Sequence, residues 1–135
     1  MSELAALGYV RFRAALLAGM DAAGQAPADR LHAMGAGYVR FARNHPDLFL
    51  LMFRGERLDR ERPALRDAMQ AAYGALAEAA AAAGQSSPRA DATADAAAAW
   101  AIAHGLAMLL IDGRLRELTQ DTDALVGEAL SRLML

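Results

Sequence analysis

The scarcity of strand-forming residues is the tightest constraint on what this chain can fold into. Its β-branched residues are Val10, Val39, Val126, Ile102 and Ile111, with three threonines. Sheets are built chiefly from β-branched and aromatic side chains, and aromatic residues make up 6% of this sequence. The apolar set still reaches 56%, much of it alanine. Ala, Leu, Met, Arg and Glu lead the helix scale, so an all-α domain is expected. At 135 residues the chain makes one domain spanning 1–135. Its apolar content and net charge of -2 are opposite to a disordered composition.

The same inventory removes several chemistries. There is no cysteine, hence no disulfide, thiolate nucleophile or Cys-ligated metal. All 14 basic residues are Arg, which removes Schiff-base and Walker-type lysines. A pI near 5.9 argues against a polyanion-binding surface. Glu3 stands where a secretory leader would carry basic residues. The longest apolar stretch, Ala96 to Ile111, is broken by His104 and falls short of the ~20 residues that span a bilayer. A cytoplasmic protein without a membrane partner is expected.

Helical periodicity and its punctuation divide the chain into six helices. The first runs from Ser2, read as N-cap, to about Ala23, with Leu4, Leu7, Val10 (or Arg11), Ala14 and Leu17 as its stripe and Phe12 and Leu16 beside it. Gly24 and Pro27 separate it from a second helix, about Pro27 to Arg43, whose stripe is Leu31, Met34, Tyr38, Phe41 and Ala42. Asn44-His45-Pro46 ends that helix, because a residue before proline is driven out of the α region. A short third helix, Asp47 to about Phe53, is apolar on every side and must be buried or bound all round. A charged connector, Arg54 to Arg62, leads to a fourth helix opened by Pro63 and stopped by Gly84, with Leu65, Met69, Tyr73, Leu76 and Ala80 inward. Acids and bases nearly balance in the connector, so it reads as a solvated, salt-bridged segment. The fifth and longest helix is expected from about Pro88 to Asp112, with Ser87 as its cap. One face carries Trp100, His104, Ala107, Met108 and Ile111, and the other Ile102, Leu106, Leu109 and Leu110. Two apolar faces imply two partners, the domain's own core and a second surface. The sixth helix starts near Thr122, with Leu125, Val126, Ala129, Leu130, Leu133 and Met134 as its stripe.

His104 admits two readings. It is a core histidine bonded to a carbonyl or a tyrosine, or a polar anchor in an apolar ligand pocket. Trp100, one turn earlier, is either core or a ligand-stacking face. Catalysis has no support, because Ser2, Ser86, Ser87 and Ser131 sit at helix ends or on the surface, so no catalytic residue is expected. His32 reads as solvated and His45 as a turn residue. Asp91 and Asp95 have no histidine one turn away. No metal and no cofactor is expected.

Two segments carry a family resemblance. Tyr38-Val-Arg-Phe41-Ala-Arg-Asn-His45-Pro46-Asp-Leu48-Phe49-Leu-Leu-Met52-Phe53 is similar to a segment of TetR/AcrR-type regulators, where one helix ends at His-Pro and a short apolar helix follows. Trp100-x-x-x-His104-Gly105, followed by Leu106 to Gly113, resembles the Trp-His-Gly signature of one subgroup's C-terminal domain. The order of helices agrees over nearly the whole chain. The resemblance implies a six-helix bundle that dimerises through its last two long helices and encloses a pocket for a small apolar or amphipathic effector. It leaves DNA binding to an N-terminal helix-turn-helix domain, which these residues lack.

On that basis the expected effector-binding residues are Phe12, Leu16, Phe49, Met52, Phe53, Met69, Tyr73, Trp100, His104 and Met108. The expected homodimer interface is Ile102, Leu106, Leu109, Leu110, Leu125, Ala129, Leu130 and Leu133. Small residues such as Gly105, Ala107 and Ala129 permit close helix contact, and a two-fold isologous dimer is the commonest closed assembly. Two other readings stay open, a helical dimeric scaffold that binds no small ligand, and a small enzyme using His104 as acid–base.

Overall fold

Proline and aspartate set where most of the helices begin. The computed structural model describes residues 1–54, 58–85 and 87–133, without the side chains of Arg54 and Leu133. Within these residues lie α1 (Ser2–Asp21), α2 (Pro27–Asn44), α3 (Pro46–Arg54), α4 (Pro63–Gly84), α5 (Ala92–Ile111) and α6 (Thr122–Leu130), with short 3-10 turns at Arg114–Glu117 and Ser131–Leu133. Pro27, Pro46 and Pro63 each open a helix, where a missing N–H costs nothing and φ is already helical. Asp91 caps α5 by accepting from Thr93 and Ala94 N–H, and Asp121 caps α6 by accepting from Ala124 N–H, all at 3.1 Å. Gly113, at φ 75°, turns the chain out of α5 in the left-handed region that glycine tolerates. The result is the expected all-α bundle.

Four boundaries and one face differ from the sequence reading. α5 starts at Ala92, not Pro88, because Ser87 closes a turn instead: its Oγ accepts from Arg89 N–H and its carbonyl from Ala90 N–H. α4, at 22 residues, is therefore the longest helix, and α5 has 20. α6 spans only nine residues, so the last two helices are one long and one short. α1 ends at Asp21, before Gly24 is reached. Ser2 is the first helical residue, not the cap, and its Oγ accepts from Asp59 N–H at 3.1 Å. His32 is half-buried, and its Nε2, 3.2 Å from the Gly127 carbonyl, ties α2 to α6.

The face of α1 is the larger difference. Leu4, Leu7 and Val10 are exposed, while Ala5, Tyr9, Phe12 and Leu16 are buried. The aromatic side chains bury more area than the aliphatic stripe, and Gly8 lets Met52 of α3 approach, since a Cβ there would lie 2.7 Å from the Met52 sulfur.

α2 is the central element. It packs on α1, α3, α4, α5 and α6, while α4 closes against α1 and α5. Its contact with α1 depends on glycine. A Cβ on Gly37 would sit 2.9 Å from the Ala15 carbonyl oxygen, and one on Gly19 would sit 2.8 Å from that of Ala33. Alanine usually stabilises a helix relative to glycine by about 0.5–1 kcal/mol. Gly37→Ala is expected to do the opposite and cost about 1–3 kcal/mol, since backbone must move to admit the methyl. Urea denaturation checks the sign; a more stable variant would show that the helices have slack at this crossing.

α5 meets the bundle through methyl groups. Ala99, Ala103 and Ala107 are its buried residues, one per turn. The larger side chains flank that stripe on both sides and are half-buried or exposed. By length and composition Ala92–Ile111 is apolar enough to cross a membrane, with mean hydropathy 1.6, which the shorter Ala96–Ile111 stretch did not suggest.

Candidate functional site

The residues expected around an effector separate into two layers. Phe12, Leu16, Phe49 and Met52 form the lower one, each at 1% exposure or less. They belong to the core, where Phe12 is the hub. Its ring lies 4.7 Å from Tyr38, 5.3 Å from Phe41, 5.9 Å from Phe53, 6.3 Å from Tyr9 and 6.4 Å from Phe49, all edge to face. That arrangement sets positive ring edges against negative faces.

The upper layer is half open. It comprises Phe53 of α3, Met69 and Tyr73 of α4, and Trp100, His104 and Met108 of α5. Trp100 is 38% exposed, and its ring lies 4.7 Å from that of Tyr73. Met69 stands one turn before Tyr73, and Met108 one turn after His104. The His104 ring stacks on Phe49 at 5.5 Å and meets Phe53 at 4.6 Å.

Hydrogen bonds run through these rings. Trp100 Nε1–H donates to Tyr38 Oη at 3.1 Å, and Tyr38 Oη lies 2.7 Å from His104 Nδ1. Tyr9 donates to the Met52 carbonyl at 3.1 Å, and its oxygen lies 3.2 Å from Tyr73 Oη. A phenol has one proton, so with the Tyr9 proton on the carbonyl, Tyr73 is the donor in that pair. Burial pushes the Tyr9, Tyr38 and Tyr73 phenols above their ordinary range, so all three are neutral donors at physiological pH. Among the described residues, every buried side-chain nitrogen or oxygen has a hydrogen-bond partner.

Tyr38 and Tyr9 were not among the expected site residues. In sequence Tyr38 belongs to the α2 stripe, and His104 is either a core histidine bonded to a carbonyl or a tyrosine or a polar anchor in a pocket; the tyrosine it meets is Tyr38. A buried tyrosine hydroxyl needs a partner as much as a histidine does, and that shared need was the available signal. Which two groups satisfy each other depends on how α2 crosses α5. Among the described residues, no three His, Asp or Glu side chains gather as a metal site would require.

The expected interface residues also sort by exposure. Leu109 is 43% exposed, while Ile102, Leu106 and Leu110 of α5 and Leu125 and Ala129 of α6 are half-buried. Leu130 is a correction: at 1% exposure it fills the chain's own core, because α6 turns Val126 and Leu130 inward against α2 and α5. The Leu133 side chain lies outside the described residues, as does Met134. Beside this face opens a cleft of about 440 Å³ between α2, α5 and the start of α6, lined by Arg43, Pro46, Leu110, Ile111, Leu115 and Arg116 among others. Arg43 is held at its edge by Asp123, 2.7 Å away.

Comparison with known proteins places this architecture. No curated protein matches the chain. A solved structure of a protein with unknown function from Rhodococcus sp. RHA1 superposes with a TM-score of 0.86 at 26% identity, covering 98% of this chain and 70% of that one. The family model for the tetracyclin repressor-like C-terminal domain matches residues 31–133. With most of its length matched and its helices arranged as that fold requires, the chain belongs to the TetR-like C-terminal domain family.

Proposed function

We propose that this domain senses a small apolar or amphipathic molecule and dimerises, as part of a TetR-type transcriptional regulator. The observation that carries the reading is the partly exposed aromatic cluster around Trp100 and His104, with a hydrogen-bonded polar chain among otherwise apolar side chains. Ligand sites combine a predominantly apolar lining with a few placed polar groups in this way. Met69 and Met108 at its margin suit ligands of varied shape. The effector would favour one arrangement of the dimer, and α1 would pass that preference to a helix-turn-helix domain outside these residues. Only a ligand with unequal affinity for the two arrangements shifts them.

Dimerisation is supported by the apolar flank of α5 and α6, where Leu109 stands exposed beside half-buried Ile102, Leu106 and Leu110. A cytoplasmic regulator without catalytic activity or cofactor completes the reading.

A ligand screen by thermal unfolding tests it. At 100 times its Kd, an effector raises stability by about 2.7 kcal/mol. Trp100→Ala and His104→Ala are expected to abolish most of that response while remaining folded. A response unchanged in both variants would place the ligand elsewhere.

A second reading, a dimeric scaffold without a small ligand, draws on the full burial of Phe12, Leu16, Phe49 and Met52. Four of the ten residues expected to line the site then serve as packed core only. A dimer that takes up no ligand across a broad apolar screen would favour it.

A further inference from the structure

The cleft of about 440 Å³ between α2, α5 and the start of α6 does not end at Arg43. It runs on into a hollow of about 250 Å³ between α2, α5 and α6, and the two share Arg43 and Leu110. The charge of this groove is one-sided. Arg116 lines the cleft, Arg40 the hollow and Arg43 both, whereas Asp123 is the one acid among the described residues that line them. The whole chain has 16 acids against 14 bases, so three guanidinium groups around one carboxylate are a local surplus of positive charge. Asp123 takes a single Arg43 Nη1–H at 2.7 Å, one of the five N–H donors of a guanidinium. The neighbouring acids are engaged elsewhere: Asp121 caps α6 through Ala124 N–H, and Glu117 pairs with Arg114. Between the arginines the walls are apolar, formed by Leu110, Ile111 and Leu115.

We propose that this groove binds a small carboxylate carried on an apolar chain, such as a medium-length fatty acid, with Arg43 and Arg116 at the carboxylate and Leu110, Ile111 and Leu115 along the chain. A cleft whose charges are of one sign concentrates ions of the other, and the guanidinium fork matches a carboxylate in shape and donors. The volume lies within the range of small-molecule sites. None of the residues of the aromatic cluster around Trp100 and His104 lines the groove, so this site stands whether or not that cluster takes an effector. Leu110 also belongs to the flank expected to dimerise, which makes a second copy of the chain the competing occupant.

Calorimetric titration of the full chain with octanoate, and with 1-octanol as the same tail without the charge, tests the proposal. Octanoate is expected to bind about tenfold more tightly at low salt, the worth of one hydrogen bond to a charged group. That advantage is expected to shrink as salt is raised, because charges near the surface are screened. Arg43→Gln and Arg116→Gln are each expected to weaken octanoate binding by about tenfold. Arg66→Gln, at an exposed position on α4, removes the same charge away from the groove and is expected to leave it unchanged.

The place of binding is read by NMR of isoleucine methyl groups. The chain has two isoleucines, Ile102 and Ile111, and only Ile111 lines the groove. Octanoate is expected to move the Ile111 methyl resonance, assigned by its loss in Ile111→Val, and to leave that of Ile102 in place. Equal affinity for octanoate and octanol overturns the proposal, as does an unmoved Ile111 resonance. So does an unchanged octanoate affinity in either groove-arginine variant once circular dichroism shows it folded, or an equal loss in Arg66→Gln. Octanoate binding that weakens as protein concentration is raised shows that a second copy fills the groove, and overturns it as well.

Discussion

Replacing Phe12 by Ala is expected to lower the free energy of unfolding by about 3–5 kcal/mol, the range for a fully buried phenylalanine. Phe12 is 1% exposed and touches five other rings from α1, α2 and α3. Its removal leaves a cavity that those rings cannot fill together, because each is also held by a neighbour. Domains of this size are stable by only about 5–15 kcal/mol, so one substitution removes a large share. Urea denaturation followed by circular dichroism gives the change directly. A loss below about 1 kcal/mol, the level of an ordinary surface change, would mean that the cluster collapses around the gap. The same substitution is expected to weaken any ligand response, since Tyr38 and Phe53 of the site lean on this ring.

Leu109→Glu is expected to turn a dimer of twice 14.3 kDa into a folded monomer of 14.3 kDa. Leu109 is 43% exposed in the single chain, so a carboxylate there leaves the fold intact. In a two-fold interface each substitution occurs twice, and an unpaired charge shut away from water costs about 3–5 kcal/mol. That corresponds to roughly a hundredfold to several thousandfold in Kd. Sedimentation or native mass spectrometry over a range of concentrations reads the result. A dimer of unchanged strength would exclude this flank of α5 as the interface. Leu130→Glu makes a useful contrast, because Leu130 lies in the core. It is expected to unfold the chain instead of separating two folded copies.

The helices themselves were legible because their determinants are local. Prolines at Pro27, Pro46 and Pro63 mark starts whatever surrounds them. The inward stripes of α2 and α4 were also legible, since each has one apolar face and a charged opposite one. α1 and α5 were less readable for the same reason reversed. With apolar residues on more than one side, periodicity alone offers several faces. On α1 the choice fell to Tyr9, Phe12 and Leu16 over Leu4, Leu7 and Val10, because the rings of α2 and α3 were there to meet them. Ser87-Pro88 and Asp91 are both good helix starts in sequence, and α5 begins at the second because Asp91 accepts from Thr93 and Ala94 N–H.

Within the site, the sequence by itself determined which residues have unmet needs. Trp100 and His104 carry polar atoms on an apolar helix, and a spacing of four puts them on one side of it. Only the tertiary structure decided who meets those needs. The Tyr38 hydroxyl lies 66 residues from His104 along the chain, and it reaches both groups because Ala99, Ala103 and Ala107 let α5 settle close to the bundle. The same packing decided which apolar residues are core and which remain outside. It drew Leu130 in and left Leu109 out. Composition fixes how much apolar surface a chain has, but the directions in which helices cross determine which part of it is covered. That is why the helical class could be read from scarce valines and isoleucines, and the Trp–Tyr–His chain could not.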